Sequence, residues 1–551
     1  MLGDKLPRDR DGLNRVFAYV KGEVESLDEQ TGTVTVEVKD SNHPDIWSVE
    51  GIARALKGFL DLAQPKQLRI AGSSRLNVIV DKRLKPIRPY IACGIVKNLH
   101  PSDEALKSWI GLQDKMDQTY GRMRKKASIG FYQADLVEPP LRYTVSKPDE
   151  SSFIPLGSSR KMSLREILKE HEKGSEYGAI ISSFPEWPLL VDGQGQILSL
   201  PPVINSNDLG RVTTDTRNIL VEVTGTNLET VHNTLKVVVT SLSERGGKVY
   251  TCVQNYQYGP SRRIVTPDLK PSEKAVSLSY ANKTLGASLS SKAASVYLRK
   301  AGYNVKRITG DTIKTQAPCY RLDIMHQIDI VEDIAIAMDL NSLKPEWPQV
   351  WTPGGLDPTT DRFEALAEVM VGLGYQEVLT YTLTDRARLE ERMRTKPGPL
   401  VELKNPKMTT YTILRNWLLP SILEFLGNNT HVDYPQKVFE VGSCELPAKA
   451  TDSPVTTLTK LTAATVHAIA GFTEIRAALD ALLGSTGIDY SVETARHPSF
   501  LDGRFGLVAS QGKNCGFLGE VHPEVIRSWG LSLPTAAFEL DLSLMGSDHN
   551  A

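Results

Sequence analysis

The sequence predicts a multidomain α+β protein, and three observations carry that expectation. Its 551 residues exceed what one hydrophobic core accommodates and imply three or four domains. Period-two apolar runs alternate with runs whose apolar residues recur every three or four positions, so strands and helices are mixed along the chain. Two polar, proline-bearing stretches, Thr266-Pro267-Asp268-Leu269-Lys270-Pro271 and Lys344-Pro345-Glu346-Trp347-Pro348, read as connectors. The expected division is 1–90, 91–265, 266–345 and 350–548.

In the first segment, Thr33 to Val38 alternates like a half-buried strand. After Asn42-His43-Pro44, Asp45 is expected to cap a helix whose apolar positions are Val49, Ile52, Ala53, Leu56 and Phe59. Leu76 to Val80 reads as a strand. In the second segment, Gln113 to Lys126 reads as a helix ending in Arg122-Met123-Arg124-Lys125-Lys126. That basic run suits either a solvated helix C-terminus or a phosphate-contacting patch. Ser163-Leu164-Arg165-Glu166 is a capping box ahead of the stripe Leu164, Ile167, Leu168. Asp192-Gly193-Gln194-Gly195 predicts a hairpin, and Leu198 at the third glycine position rules out a dinucleotide fingerprint. Ile219 to Val223 is an expected strand, Leu228 to Arg245 a helix stopped by Gly246-Gly247, and Lys248 to Val253 a further strand.

The third segment predicts two helices, the second from Ser290 to Ala301 and stopped by Gly302, then a hairpin at Gly310-Asp311. The last segment mixes long helices with alternating strands, as an α+β domain with a largely antiparallel sheet does. Within it Leu366, Val369, Met370 and Leu373 are a helix core. No internal repeat stands out.

Composition narrows the function classes. Hydrophobic residues at 40% and charged residues at 23% are those of a globular protein, and no eighteen-residue apolar run marks a membrane span. Met1-Leu2-Gly3-Asp4-Lys5 lacks the apolar core of a signal peptide. Cys93, Cys252, Cys319, Cys444 and Cys515 are far apart with no C-x-x-C pair, which argues against a zinc ribbon or disulfide framework. A cytoplasmic location is expected. Sixty-four basic against sixty-five acidic residues lack the positive excess of a dedicated nucleic-acid binder. Any RNA contact is local or shared with a partner chain. His497 and His522, without partners at ligand spacing, read as structural.

The segment from Asp323 to Asp333 carries the clearest chemical signal. A helix is expected from about Asp329, placing Asp329, Glu332 and Asp333 at i, i+3 and i+4 on one face, with Asp323 just before it. Acids in a first helical turn complement the macrodipole, and Asp329 alone is a good N-cap. Three on one face repel each other, which a divalent cation would relieve. All-oxygen ligation points to Mg²⁺ or Ca²⁺. Spacing leaves both readings open.

These residues also carry a resemblance. Arg321 to Ala335, with the pattern R-x-D-I-x4-D-I-V-E-D-I-A, is similar to the magnesium-binding segment of phenylalanyl-tRNA synthetase β chains. Asn42 to Arg54 resembles the N-terminal element of that family, and Pro201 to Ser206 with Glu222 to Thr226 its editing domain. Gly374 to Val378, Leu414-Arg415, Val438 to Gly442 and Gly516 to Val525 resemble its synthetase-like domain. The likeness spans nearly the whole chain and is to the archaeal and eukaryotic type. Family members carry a further helical stretch before an M-L-G like Met1-Leu2-Gly3, so the first domain is expected to be incomplete.

The resemblance implies an N-terminal α+β domain, an α/β editing domain, a small helical or winged magnesium-bearing domain and a class II synthetase-like domain. It implies Asp323, Asp329, Glu332 and Asp333 as Mg²⁺ ligands, and Leu190, Ser199, Glu222 and Thr224 as an editing pocket that hydrolyses mischarged Tyr-tRNA(Phe). Glu222 and Thr224 equally suit the outward face of an ordinary strand. The family often has aspartate where Glu222 stands. It further implies an α subunit that binds ATP and phenylalanine, an α2β2 heterotetramer, tRNA(Phe) as partner and no membrane. The last domain lacks a glycine-rich stretch ending in arginine, so no aminoacylation residue is expected on this chain. Two alternatives stay open: a non-enzymatic RNA-binding or scaffold paralogue, and a free-standing aminoacyl-tRNA deacylase.

Overall fold

The computed structural model describes every residue except 29, 40–41, 64–66, 261, 349–351, 450–452 and 545–551. Both bounds expected for the last domain, 350 and 548, lie outside the described residues. The chain divides into two compact units, Met1–Trp347 and Pro348–Ala551.

The first unit opens with the helix Arg10–Phe17 and the antiparallel hairpin Gly22–Asp28 with Thr33–Val38. The helix Val49–Phe59 follows, and Leu13, Phe17, Val24, Ile46 and Leu56 bury a small core. Its N-cap is Ser48, whose hydroxyl accepts the Gly51 N–H, and not the expected Asp45. Asp45 is buried one turn earlier and accepts from Arg54 at 2.9 Å, so its carboxylate is committed to an ion pair instead.

The largest element of this unit is a ten-stranded mixed sheet. Its path runs Ile204–Asn205, Ile197–Leu200, Trp187–Val191, Leu141–Ser146, Ile70–Val80, Lys248–Tyr256, Tyr90–Lys97, Ile219–Gly225 and Ala127–Gln133, with Arg263–Thr266 paired to Lys248–Tyr256. Ile70–Val80 is parallel to both of its neighbours, and the other pairs are antiparallel. The boundary expected at 90 therefore cuts through this sheet, because Ile70–Val80 already belongs to it. Helices Asp103–Gln118 and Leu228–Ser243 cover one face through Trp109, Leu112, Leu235 and Val238. Tyr132, Tyr143, Leu190 and Leu220 pack on the other.

The helix expected at 113–126 starts earlier and ends at Gln118, because Ser102 caps it and the chain then enters a left-handed turn. Arg122, Met123 and Arg124 have φ of 54°, 51° and 62°. The capping box at Ser163 and Glu166 forms as expected. The unit closes with a three-stranded antiparallel sheet, Ser272–Ser277, Thr312–Ala317 and Asn304–Thr309, packed on helices Leu278–Leu285, Ser291–Lys300 and Gln327–Met338.

In the second unit a seven-stranded sheet runs Gln376–Glu377, Gln436–Pro447, Val455–Val466, Thr535–Asp541, Lys513–Val521, Phe500–Ser510 and Ser491–Thr494. Only the first pair is parallel. Pro358–Gly372 and Phe472–Ser485 contribute Leu366, Met370, Leu479 and Leu482 to one core, and Leu419–Asn428 contributes Ile422 and Leu426 to another. Among the described residues no helix is long and apolar enough to cross a membrane.

Candidate functional site

The two ends of the ten-stranded sheet approach each other. Asn205, on the strand that begins the path, donates from Nδ2 to the carbonyl of Phe131 on the strand that ends it, at 3.3 Å. Between them lies a cleft of about 570 Å³, a size that suits a small ligand group. Ile129, Phe131, Pro201, Pro202 and Val203 make its walls apolar, and Ser128, Ser199, Asn205 and Glu222 supply polar groups. Half-buried His171 and Lys173 and the exposed Glu172 and Arg211 complete the lining.

Glu222 sits on Ile219–Gly225, a strand buried along its whole length between Tyr90–Lys97 and Ala127–Gln133. The carboxylate is 3% exposed, so the expectation of an outward-facing residue is corrected: the strand has neighbours on both sides and no solvent face. Across the ladder from Glu222 stands Gly130. A β-carbon there would come within 2.6 Å of Glu222 Oε2 and 2.5 Å of the Tyr132 hydroxyl, so glycine makes the room both groups use. Glu222 Oε2 lies 3.0 Å from the Tyr132 hydroxyl, and Oε1 is buried without a hydrogen-bond partner. Burial pushes the Glu222 carboxyl up to about 7, and the Tyr132 phenol, the Arg88 guanidinium and the Thr224 hydroxyl hold it back only in part. An unsatisfied buried acceptor of this kind costs stability.

The four residues expected to form the pocket do not all face it. Ser199 and Glu222 line the cleft, whereas Leu190 and Thr224 are not among its lining residues. Leu190 pairs with Ser199 across the ladder but is buried among Tyr132, Leu198 and Leu220. Thr224 is held by Arg88, whose Nε donates to its hydroxyl at 2.9 Å and whose Nη2 donates to its carbonyl at 2.6 Å. Asn205 lies within the Pro201–Ser206 stretch read from the sequence, whereas Tyr132 and Gly130 belong to no such motif. The signal that could have found them is alternation: Ser128, Gly130 and Tyr132 share one strand face.

Arg88 also explains the basic run. Only 1% exposed, it donates to the carbonyls of Arg124 and Lys125 at 3.0 and 3.5 Å, clamping the left-handed turn from inside. Arg124 turns inward, pairs with Asp117 at 2.9 Å and donates to the carbonyls of Pro202 and Val203 at 3.1 and 3.0 Å. The run is thus not a helix end, and its central cation braces the cleft wall. Arg122, Lys125 and Lys126 remain exposed.

The acidic segment is held differently from its expectation. The helix starts at Gln327 with His326 as its N-cap, so Asp329 is not the N-cap but the third helical residue, whose carboxylate accepts the N–H groups of Met325 and His326 at 2.7 Å each. Glu332 pairs with Lys21 at 2.7 Å. Asp323 and Asp333 share the buried Arg321, at 2.6 and 2.8 Å, and Tyr303 donates to Asp333 at 2.6 Å. His43 stands 2.9 Å from Asp45 and 3.1 Å from Asp323. Burial works against its protonation, yet Asp45 and Asp323 outweigh this and lift it to about 9. Burial likewise opposes ionisation of Asp323, but Arg321 and His43 hold it well below the usual carboxylate range.

Cations Arg54, His43 and Arg321 therefore meet buried Asp45, Asp323 and Asp333, with Glu244 at the edge. The repulsion argued from helix spacing is compensated acid by acid: by backbone N–H groups at Asp329, by Lys21 at Glu332 and by Arg321 at Asp333. Among the described residues, those whose ligand atoms come within reach of one shared ion are His43, Asp45 and Asp323, and the expected quartet is not brought together. Carboxylates are the right donor type for Mg²⁺, but this arrangement does not fit the ion: Arg321 occupies the space between two of them.

In the second unit, cations on the sheet are consumed by carboxylates. Arg415 pairs with Glu440 at 2.8 Å, and both are buried. Lys460 pairs with Glu539 at 3.0 Å, and Glu539 also accepts the N–H groups of Leu418 and Leu419 at 2.9 and 3.0 Å. His497 packs against Trp417, Phe500 and Phe505, and the His522 ring accepts the Glu524 N–H at a helix start. Both serve packing or capping.

Comparison with known proteins places this architecture. Residues 343–542 match the model of the phenylalanyl tRNA synthetase beta chain CLM domain, and residues 274–339 that of the tRNA synthetase B5 domain. The chain is 41% identical to the phenylalanine--tRNA ligase beta subunit of Pyrococcus furiosus over 95% of its length and 94% of that protein's. It is also 41% identical to that of Thermococcus kodakarensis, over 96% and 94%. In structure it resembles an N-terminal fragment of the phenylalanyl-tRNA synthetase beta subunit from Pyrococcus horikoshii, with a TM-score of 0.57, 40% identity, and coverage of 60% of this chain and 94% of that one. With these matches covering nearly its whole length, the chain belongs to the phenylalanine--tRNA ligase beta subunit family, the subunits of an aminoacyl-tRNA synthetase.

Proposed function

We propose that the chain works with an α subunit, in an α2β2 assembly on tRNA(Phe), and that its own chemistry is hydrolysis of a misattached tyrosyl ester in the Glu222 cleft. The carrying observation is the buried Glu222 carboxylate, with one unpartnered oxygen, in a cleft walled by Ile129, Phe131 and Pro201 to Val203. A pocket selecting phenylalanine by hydrophobic fit discriminates weakly against an isostere that adds only a hydroxyl. A second site that hydrogen-bonds that hydroxyl separates the two far better, because a phenylalanyl group would leave the buried carboxylate unpaired. Glu222 accepts the phenol, and Phe131, Ile129 and the proline wall enclose the ring. Water adds to the ester carbonyl, the bond to the ribose oxygen breaks, and tyrosine and free tRNA leave.

ATP-dependent attachment of phenylalanine is assigned to the α subunit. Supporting this, Arg415 and Lys460 are each neutralised by an internal carboxylate instead of being left for a phosphate. No step is assigned to a metal at the acidic segment. The test is tyrosyl-tRNA(Phe) deacylation by the co-expressed α–β complex. Glu222→Ala should slow it while phenylalanine attachment continues; unchanged deacylation removes Glu222 from the site. Failure to co-purify with an α chain would favour the scaffold or free-standing deacylase alternatives.

A further inference from the structure

Behind the cleft, in contact with its lining residues Ser199, Asn205 and Glu222, lies a buried phenol that ester hydrolysis leaves without a role. The Tyr132 hydroxyl has one hydrogen and three oxygen neighbours: Ser199 Oγ at 2.9 Å, Glu222 Oε2 at 3.0 Å and Asn205 Oδ1 at 3.2 Å. Asn205 Oδ1 can only accept, while the Ser199 hydroxyl can donate. Tyr132 therefore links the strand at one end of the sheet to two strands at the other. It does so directly over Gly130, where no side chain would fit beside it.

We propose that Tyr132 is a positioning residue of this site: its phenol holds Glu222 by Oε2 and leaves Oε1 as the carboxylate's acceptor for an incoming aminoacyl group. One free acceptor, fixed in direction, selects a side chain that ends in one hydroxyl donor, as a tyrosyl ester does. A carboxylate free at both oxygens would rotate and accept water or other donors equally well. The longer side chain of glutamate at 222 makes such a restraint the more necessary, since it adds a rotatable bond. This inference rests on the cleft being the ester-hydrolysing site.

The experiment uses the α–β complex with Tyr132→Phe, which keeps the ring and removes the hydroxyl. Tyrosyl-tRNA hydrolysis should lose about tenfold in kcat/KM, mainly through KM, and the preference for tyrosyl over phenylalanyl ester should narrow by a similar factor. The pH midpoint of the reaction should move to higher pH, because the carboxylate has lost a donor that favours its charged form. A residue that only supports the fold would leave that midpoint in place. Gly130→Ala provides an independent perturbation, displacing the same phenol and carboxylate without altering either, and should reproduce the loss. Unchanged preference and midpoint in both variants would overturn the role of Tyr132. Absence of tyrosyl-tRNA hydrolysis in the unmodified complex would instead overturn the reading of the cleft itself.

Discussion

Replacing Arg321 by Met tests whether the acidic segment is balanced by protein cations. The guanidinium spans Asp323 and Asp333 at 2.6 and 2.8 Å, and all three side chains are buried. Methionine fills much of the volume but leaves two carboxylates facing each other, with only His43 nearby to compensate Asp323. Removing one partner of a buried pair costs about 3–5 kcal/mol, since the remaining charge stays desolvated. For a unit of this size, about 2 °C is lost per kcal/mol, so the unfolding transition should fall by roughly 6–10 °C. Hydrogen exchange should localise the loss to Gln327–Met338 and the strands beneath it. The decisive arm is Mg²⁺. An ion that binds the folded state alone stabilises it by mass action. Millimolar Mg²⁺ should leave the unmodified chain's transition in place and partly rescue Arg321→Met, where two carboxylates are freed. A clear rise for the unmodified chain would show that the carboxylates regroup around the ion, and would refute the balance described here.

Other perturbations have defined outcomes. The Glu222 carboxyl titrates near 7, above its unfolded value, so its contribution to stability is present at low pH and lost as pH rises through 7. Tyrosyl-ester hydrolysis should move oppositely, rising between pH 6 and 8 as the accepting carboxylate forms, and Glu222→Gln should flatten the curve in a deacylation assay. Arg88→Met strips the donors from the Arg124 and Lys125 carbonyls and from Thr224; denaturant unfolding should show a loss of about 3 kcal/mol. Ser48→Ala should cost about 1–2 kcal/mol in the same measurement, because the hydroxyl caps Val49–Phe59 and also contacts Ser241 at 3.0 Å.

Local elements were legible because they depend on neighbours in sequence. The capping box at Ser163, the hairpins at Asp192-Gly193 and Gly310-Asp311 and the helix ended by Gly302 all formed where turn and cap chemistry placed them. The misplaced helix at 113–126 shows the limit. A basic run resembles a helix end in sequence, but Arg88, more than thirty residues away, supplies the donors that stabilise a left-handed turn instead.

By itself the sequence determined the family, the mixed α+β character and the acids at 222 and 323–333 as candidate site residues, since these follow from residue order and local spacing. Tertiary structure alone decided what those acids do. Closure of the ten-stranded sheet brings Tyr132 onto Ser199 and Asn205 and gives Glu222 one bound and one free oxygen. Packing of the first helices against the small domain carries His43 to Asp323 and Lys21 to Glu332, while the adjacent Arg321 pairs with Asp323 and Asp333. The reason is the short range of these forces: an ion pair or hydrogen bond acts over a few ångströms, and only the folded chain determines which distant residues come that close.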